Sequence, residues 1–559
     1  MNKFKLIIPP ITIMLLVGFS CKKEVAIDKL GSDTVSPSFG IPLAEATLNL
    51  GRYFDSSKNV FIETNPVTGI LEYVYPKALF DLRAADFFNL NLNPISQSAS
   101  MPPPVVTAFN TGGAGTTVSF SQAGTETLSF PNNEQLDSIS VLSGNLVVDI
   151  QSTFTHDGVI TITIPSLKSP SGTIYSTTIP LDYVATVPVT GNSSLNISGY
   201  TFDLTDSSTT SNTINYEIAI QLTNSGTGAT GAESIDITID LGINQFQTIY
   251  GYFGNTTNFI DQDTLAIDFY QNLMGGTVHI ANPRIELDFT NSTGIPVQTI
   301  FNGVYSPTPG TSVTLGGPGL SSIPIVAAPS TVGDSVITSH IIDNNNTSPT
   351  LTALIDEAPD EIIYDGSTQI NPSGVTNNFL DIDSRVRCDS RLILPLHGWG
   401  SGFNLRDTTN FNAKDILGDS SSTEQVKSAT VRVFVTNELP VGATVQLYFA
   451  DSNDIIVDSL FTTANGENII GSAPVNTTVP PSNTDYGTST GSTKKITDVT
   501  MSKEKLMSLS NNGVTKIYIL AAANTTDASN ATDVKFLPRY NIIVKVSARV
   551  NLEFTPDFN

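Results

Sequence analysis

Asn145-Leu146-Val147-Val148-Asp149-Ile150-Gln151-Ser152 runs through Phe154-Thr155-His156-Asp157-Gly158 into Val159-Ile160-Thr161-Ile162-Thr163-Ile164. Two β-branched, apolar-rich segments flank a polar step ending in glycine, the pattern of strands joined by a tight reversal. The unit recurs. Tyr216–Leu222 leads into Thr223-Asn224-Ser225-Gly226, and Arg284–Phe289 into Thr290-Asn291-Ser292-Thr293-Gly294. Thr430–Val435 leads into Thr436-Asn437 and, past Leu439-Pro440, Gly442. Asn and Gly readily supply the positive-φ positions of a hairpin turn, so each unit is expected to be a hairpin. The spacings are too uneven for a solenoid.

In Val544-Lys545-Val546-Ser547-Ala548-Arg549-Val550-Asn551-Leu552-Glu553-Phe554, apolar even positions alternate with polar odd ones. That period puts one face on a core, and at ~3.3 Å per residue the strand runs to roughly 35 Å. The expected fold class is all-β and mainly antiparallel, with two to three successive β-sandwich or barrel-like domains and very few short helices. Short helices are expected at Arg83–Phe88, at Leu351–Glu357 (stopped by Pro359) and at Ser502–Ser510, capped by Ser502 with Gly513 beyond. Ser96–Ala114 reads as loop.

The 559 residues suit roughly three domains, and 39% hydrophobic content with 41 Gly and 32 Pro describes many short strands joined by turns. The divisions expected are a 1–20 signal, a 21–40 tether, β domains over 41–195 and 196–304, a Pro/Gly-rich linker or long loop over 305–334, and a C-terminal β domain over 335–559. A formal net charge of −25 disfavours nucleic acid, because phosphate binding needs cations, and it leaves no polybasic membrane patch. Acidity of this kind keeps a large exported body soluble.

Lys3 and Lys5 precede an uncharged run, Leu6 to Ser20, followed by Cys21-Lys22-Lys23-Glu24. A basic start, an apolar middle and a small residue before the break mark an export signal. A cysteine directly after that residue resembles the lipobox of a bacterial lipoprotein, which implies that Cys21 is acylated and becomes the N-terminus. No later stretch approaches the roughly 20 apolar residues of a membrane span, so attachment rests on Cys21. The other cysteine, Cys388, has Arg385 and Arg387 nearby, which would favour a thiolate; a half-buried strand position is the plainer reading.

His156, His279, His340 and His397 lie far apart, without metal-ligand spacing. Gly487-Thr488-Ser489-Thr490-Gly491 matches the letters of a nucleophile elbow, but lacks the flanking strand and helix that give that motif its geometry. Carboxylates cluster at Asp261/Asp263, Asp356/Glu357 with Asp360/Glu361, Asp381/Asp383 and Asp451/Asp454. The pairs Asp261/Asp263, Asp381/Asp383 and Asp451/Asp454 are candidate calcium loops, with solvated turns as the plainer alternative; no other cofactor is expected. Trp399, the one tryptophan, is glycine-flanked in Gly398-Trp399-Gly400 and is either a ligand-stacking platform or a core plug.

Ser20-Cys21-Lys22-Lys23, Ser138–Gly144, Ile362-Ile363-Tyr364 and Asn371-Pro372-Ser373-Gly374 together resemble the uncharacterised outer-membrane lipoproteins of the Bacteroidota type. Lys22 after the cysteine then implies outer-membrane sorting. Ala281–Asn291 is also similar to the strand-turn-strand of late-embryogenesis-abundant sandwich domains. The leading functional expectation is a lipid-anchored, non-catalytic envelope protein for binding, adhesion or assembly, with an envelope protein, glycan or lipid as partner. The alternatives are a lipid or hydrophobic-ligand carrier with a β-tube cavity, a fimbria-like subunit using the C-terminal strand, and an envelope hydrolase.

Overall fold

The computed structural model describes residues 36, 38–49, 61–88, 90, 92–205, 211–267, 270, 275–307, 313–410 and 426–553. The signal, Cys21, most of the tether and Phe554 lie outside them. The all-β expectation holds: the described strands form six sheets, and the paired strands run antiparallel, as in Asp157–Lys168 against Thr213–Thr223.

The recurring units are not hairpins. Gln135–Ser152 pairs with Val189–Asn196, Thr201–Asp203, Ser234–Asp240 and Ile243–Tyr252, whereas Asp157–Lys168 pairs with Ile174–Leu181, Thr201–Asp203 and Thr213–Thr223. The two strands share no ladder, although both belong to one eleven-stranded sheet in which Thr201–Asp203 lies between them. The same holds across Thr223, whereas after Asn291 and Asn437 the chain leaves one sheet and enters another.

The polar step makes each of these turns. Asn224 Oδ1 accepts from Gly226 N–H at 2.8 Å, Asn291 Oδ1 from Thr293 N–H at 2.9 Å and Asn437 Oδ1 from Leu439 N–H at 2.9 Å. Their Nδ2 groups donate to backbone carbonyls: Phe109 for Asn224, Ile295 and Ala327 for Asn291, and Leu439, Val441 and Gly471 for Asn437. Ser152 Oγ plays the acceptor part for Phe154 N–H. All four side chains are buried, and Asn291 and Asn437 are 0% exposed. The asparagines act through their amides rather than through a positive φ, which none of the three adopts.

Leu146, Val148 and Ile150 join Ile160, Ile162 and Ile164 in one core. That core continues without a break into a second pair of sheets. One has the order Val336–Asp343, Arg284–Asn291, Arg385–Pro395, Leu71–Arg83, Phe61–Thr64; the other runs Thr256–Ala266, Glu361–Ile370, Val297–Tyr305, Thr314–Leu315. On the outer face of the five-stranded sheet, Arg284 grips the nearly buried Glu72 with two bonds (2.8 and 2.9 Å) and Glu286 with a third (2.8 Å). Arg391 extends the lattice to Glu286 and Glu63. Two bonds from one guanidinium satisfy a carboxylate that would otherwise be costly to bury.

Pairing crosses the boundaries expected at 195 and across 305–334, so sequence order does not divide these sheets. Of the two expectations for 305–334, residues 313–334 fit the long loop: mostly irregular, they bury Leu315, Leu320, Ile323 and Val326, and Val326 bridges to Val297. Ser38–Asn49 joins the last unit, pairing with Asn541–Leu552, which also pairs with Val426–Asn437. That sheet, with Thr493–Ser502 at its far edge, accompanies a second one built on Phe403–Asn410, Lys516–Thr525 and Val441–Ala450. Short helices stand at Ala84–Phe87, Leu351–Ile355 and Lys503–Asn511, and Ser502 caps the last. Ser96–Ala114 departs from the loop expected: it holds the strand Ile95–Ser100 and the helix Pro103–Gly112. Its prolines occupy the first helical turn, where no N–H is needed.

Asn291→Ala is expected to cost about 3 kcal/mol in urea unfolding, since it strands several buried backbone groups. Asn291→Asp should be at least as damaging near neutral pH, because a carboxylate oxygen then faces the carbonyls of Ile295 and Ala327, and less damaging in acid. A loss below ~0.5 kcal/mol for both variants would show that the corner forms without its amide.

Candidate functional site

A three-stranded sheet joins the two parts of the molecule. Thr277–Ile280 pairs with His397–Ser401, which pairs with Val534–Lys535. In register, His279 lies opposite Trp399, Val278 opposite Gly400, Ile280 opposite Gly398, and His397 opposite Lys535. Strand alternation then gives the sheet two unlike faces: His279, His397, Trp399 and Lys535 on one, Val278, Ile280, Gly398, Gly400 and Val534 on the other.

On the first face, the His279 ring stacks on the Trp399 indole, with centroids 5.8 Å apart and planes 21° apart. Nδ1 of His279 lies 2.7 Å from Asp356 Oδ2, and Nε2 lies 4.0 Å from Asp533 Oδ1. Asp356 follows the short helix Leu351–Ile355, and its Oδ1 also accepts Ile280 N–H. Asp533 Oδ1 is buried and accepts no hydrogen bond. Burial holds the Asp533 carboxyl above the usual carboxylate range, although His279 opposes this. The hydrogen bond to Asp356 raises the His279 imidazole above its ordinary value, against the effect of burial. Burial pushes His397 down to about 4, helped by Lys535 and His279. Lys535 donates to the carbonyls of Asn483 and Thr484. The cluster can hold and move a proton.

On the second face the glycines leave room. A Cβ on Gly398 would sit 1.9 Å from the His279 carbonyl oxygen, and one on Gly400 would sit 2.0 Å from the Phe403 ring. Beyond them lies a cleft of 220 Å³, lined by Tyr73, Val278 and Ile280 from the larger part and Phe403, Val441 and Phe536 from the smaller. An apolar cavity of roughly 150 Å³ admits benzene, so this one has room for a ring or a short alkyl group.

The other sequence candidates do not converge here. Cys21 lies outside the described residues, as does the side chain of Asp261. Asp263 pairs with Lys77 at 3.0 Å. Asp381 Oδ2 accepts from Gln247 and Thr248, and its Oδ1 accepts from Asp383 N–H. Asp451 Oδ1 caps its own turn, and Asp454 is held by Lys516 and Tyr518. Among the described residues, no three His, Cys, Asp or Glu side chains are grouped to hold a metal. Ser489 Oγ donates to Gly491 O, in a β-bridge rather than an elbow. Cys388 is fully rather than half buried, and burial pushes its thiol far up; Arg387 pairs with Asp389 instead. His156 is a core residue bonded to Ser225, and His340 donates to Gly319 O. Sequence reasoning missed the grouping of His279, Asp356 and Asp533 around Trp399, because no local spacing connects them.

No protein-family model and no curated protein matches the sequence. Among solved structures, the chain is similar to a Parabacteroides distasonis protein named for inferred secretion, with 12% identity over 53% of this chain and 82% of that one and a TM-score of 0.27. It is also similar to a structure of infectious bursal disease virus, Gx strain, with 10% identity over 81% and 86% and a TM-score of 0.15. A peptide-N(4)-(N-acetyl-β-D-glucosaminyl)asparagine amidase shows 13% identity over 54% and 96%, with a TM-score of 0.12. Likenesses at these scores carry no functional argument. Among the described residues no helix is long and apolar enough to cross a membrane.

The two histidines titrate with opposite consequences. His279 has a raised value in the folded state, so its contribution is full below about 6.5 and is lost as pH rises through the folded value. His397 has a depressed value, so its contribution is present above about 6.5 and is lost as pH falls towards about 4. Thermal unfolding across pH 4–8 should show His279→Gln removing the loss on the alkaline side and His397→Gln removing the loss on the acid side. Identical profiles for both variants would refute the assignment.

Proposed function

We propose that this chain is a lipid-anchored, non-catalytic binding protein of the bacterial outer membrane, whose ligand places a small ring or short alkyl group in the cleft beneath Gly398 and Gly400. The anchor reading is supported by the basic, apolar, Ser20-Cys21 leader followed by Lys22. The binding reading rests on one observation: the cleft is walled by aromatic and aliphatic side chains from both parts of the molecule. Its 220 Å³ suits a fragment of a ligand better than a whole lipid, which favours a binding protein over a β-tube carrier. The fimbria-like alternative is not favoured, because Asn541–Leu552 is paired along both edges within its own chain.

Anchoring is tested by labelled palmitate, which should enter the wild-type chain and not Cys21→Ala; equal incorporation would remove the lipid reading. For the cleft, benzene serves as the probe. At ten times its Kd it should stabilise the protein by about 1.4 kcal/mol. Val278→Phe, which fills the space, should abolish that shift while the chain still folds. A shift that survives in Val278→Phe would place the probe elsewhere and remove the proposed site.

A further inference from the structure

The first described strand, downstream of Cys21, enters the smaller part at one end of a sheet. There Ser38 lies opposite Asn551, Asn551 opposite Ser428 and Ser428 opposite Ser502. The other sheet of this part ends at the same level. Val441–Ala450 starts at the cleft, which Val441 lines, and runs away from it to Ala450, opposite Lys516. Near that foot Met501 packs against the cluster of Phe449, Leu509 and Val514, and the helix Lys503–Asn511 touches strands of both sheets. Beyond Ala450 hangs the turn into Ile456–Ser459, where Ile455 is 63% and Ile456 56% exposed. Among the described residues these are the only two consecutive large apolar side chains both more than half exposed. Acids at this end are paired with lysines: Asp454 with Lys516, Asp458 with Lys505 and Glu553 with Lys427.

We propose that this end is a membrane-contact surface, at which Ile455 and Ile456 enter the interface of the bilayer that carries the anchor. The proposal rests on the anchor reading, because acylated Cys21 is what brings a bilayer to the Ser38 end. The isoleucine pair gains by leaving water, and it lies on the end where the anchored chain enters the fold. The lysine partners neutralise Asp454, Asp458 and Glu553, which bare would be repelled by anionic headgroups. The contact is therefore apolar with paired charges around it, and it needs no polybasic segment. It also fixes the stance of the molecule. The ten residues of Val441–Ala450, at ~3.3 Å each, hold the cleft roughly 30 Å from the bilayer. The ligand of the cleft then comes from the aqueous side rather than from the anchoring membrane.

Coupling Cys21 of the mature chain to a myristoyl-length maleimide imposes an anchor whether or not cells acylate it; Cys388 is buried and does not compete. Labelled palmitate decides the anchor reading separately. On vesicles of phosphatidylethanolamine and phosphatidylglycerol, the coupled Ile455→Trp chain should show a blue-shifted emission that doxyl-labelled lipid quenches. Trp399, the one native tryptophan, should not be quenched in the coupled wild-type chain, since it lies beside the cleft. One myristoyl-length chain binds only marginally, so Ile455→Asp with Ile456→Asp should weaken vesicle partition at least about tenfold, with no change in Tm. An introduced tryptophan that stays in water, or a double variant that partitions like the wild type, would overturn the proposal. So would a blue shift that needs no vesicles and grows with protein concentration, which would assign the tip to a second copy.

Discussion

A buried asparagine amide at the end of a strand is the contact on which this architecture depends. To stack two sheets, the chain must leave one, cross the sandwich end and enter the other while its backbone groups are losing water. Unpaired, each buried group costs on the order of 1–3 kcal/mol. Asparagine solves this locally, because one side chain offers both an acceptor and two donors. At Asn291 and Asn437 the acceptor takes the N–H two residues ahead while the donors reach carbonyls as far away as Ala327 and Gly471. Each corner therefore also pins a distant loop: Asn291 holds the segment 313–334 at Ala327, beside its buried Ile323 and Val326.

Much of this was legible in the sequence, but with the wrong connectivity. Period-two alternation located the strands, since it reports burial on one face and needs no knowledge of partners. Thr-Asn or Ser followed by glycine located the reversals. Reading Asn as a positive-φ residue turned those reversals into hairpins; the amide acts through its hydrogen bonds, and φ at Asn224, Asn291 and Asn437 is not positive. Whether a strand's next neighbour is its partner or lies in the facing layer is decided by tertiary contacts, which local pattern does not encode. The helix capped by Ser502 was visible because capping is local, whereas prolines at 102–104 concealed the helix Pro103–Gly112.

The site follows the same division. Gly398-Trp399-Gly400 announced an unusual strand, and the structure supplies the reason: the glycines allow the His279 carbonyl and the Phe403 ring to approach where a side chain would collide. Nothing local announced His279, Asp356 or Asp533, which meet only because residues from 277 to 535 supply one small sheet. The candidate calcium carboxylates show the converse. Their clustering in sequence was real, but protein donors already engage Asp263, Asp381, Asp451 and Asp454, Asp381 most fully.

The two faces of that sheet are thermodynamically linked. The cleft has walls from both parts of the molecule, so an occupant favours the state in which they are docked. His279 belongs to the larger part and Asp533 to the smaller; a protonated imidazole between Asp356 and Asp533 favours the same docked state. Two events that stabilise one state stabilise each other, whatever the distance between them, and the coupling is reciprocal. An apolar group in the cleft therefore raises the affinity of His279 for its proton to the extent that protonation tightens the cleft. The backbone ladder that pairs His279 with Trp399 and Gly398 with Val534 joins the two parts through one sheet, so both events act on the same junction.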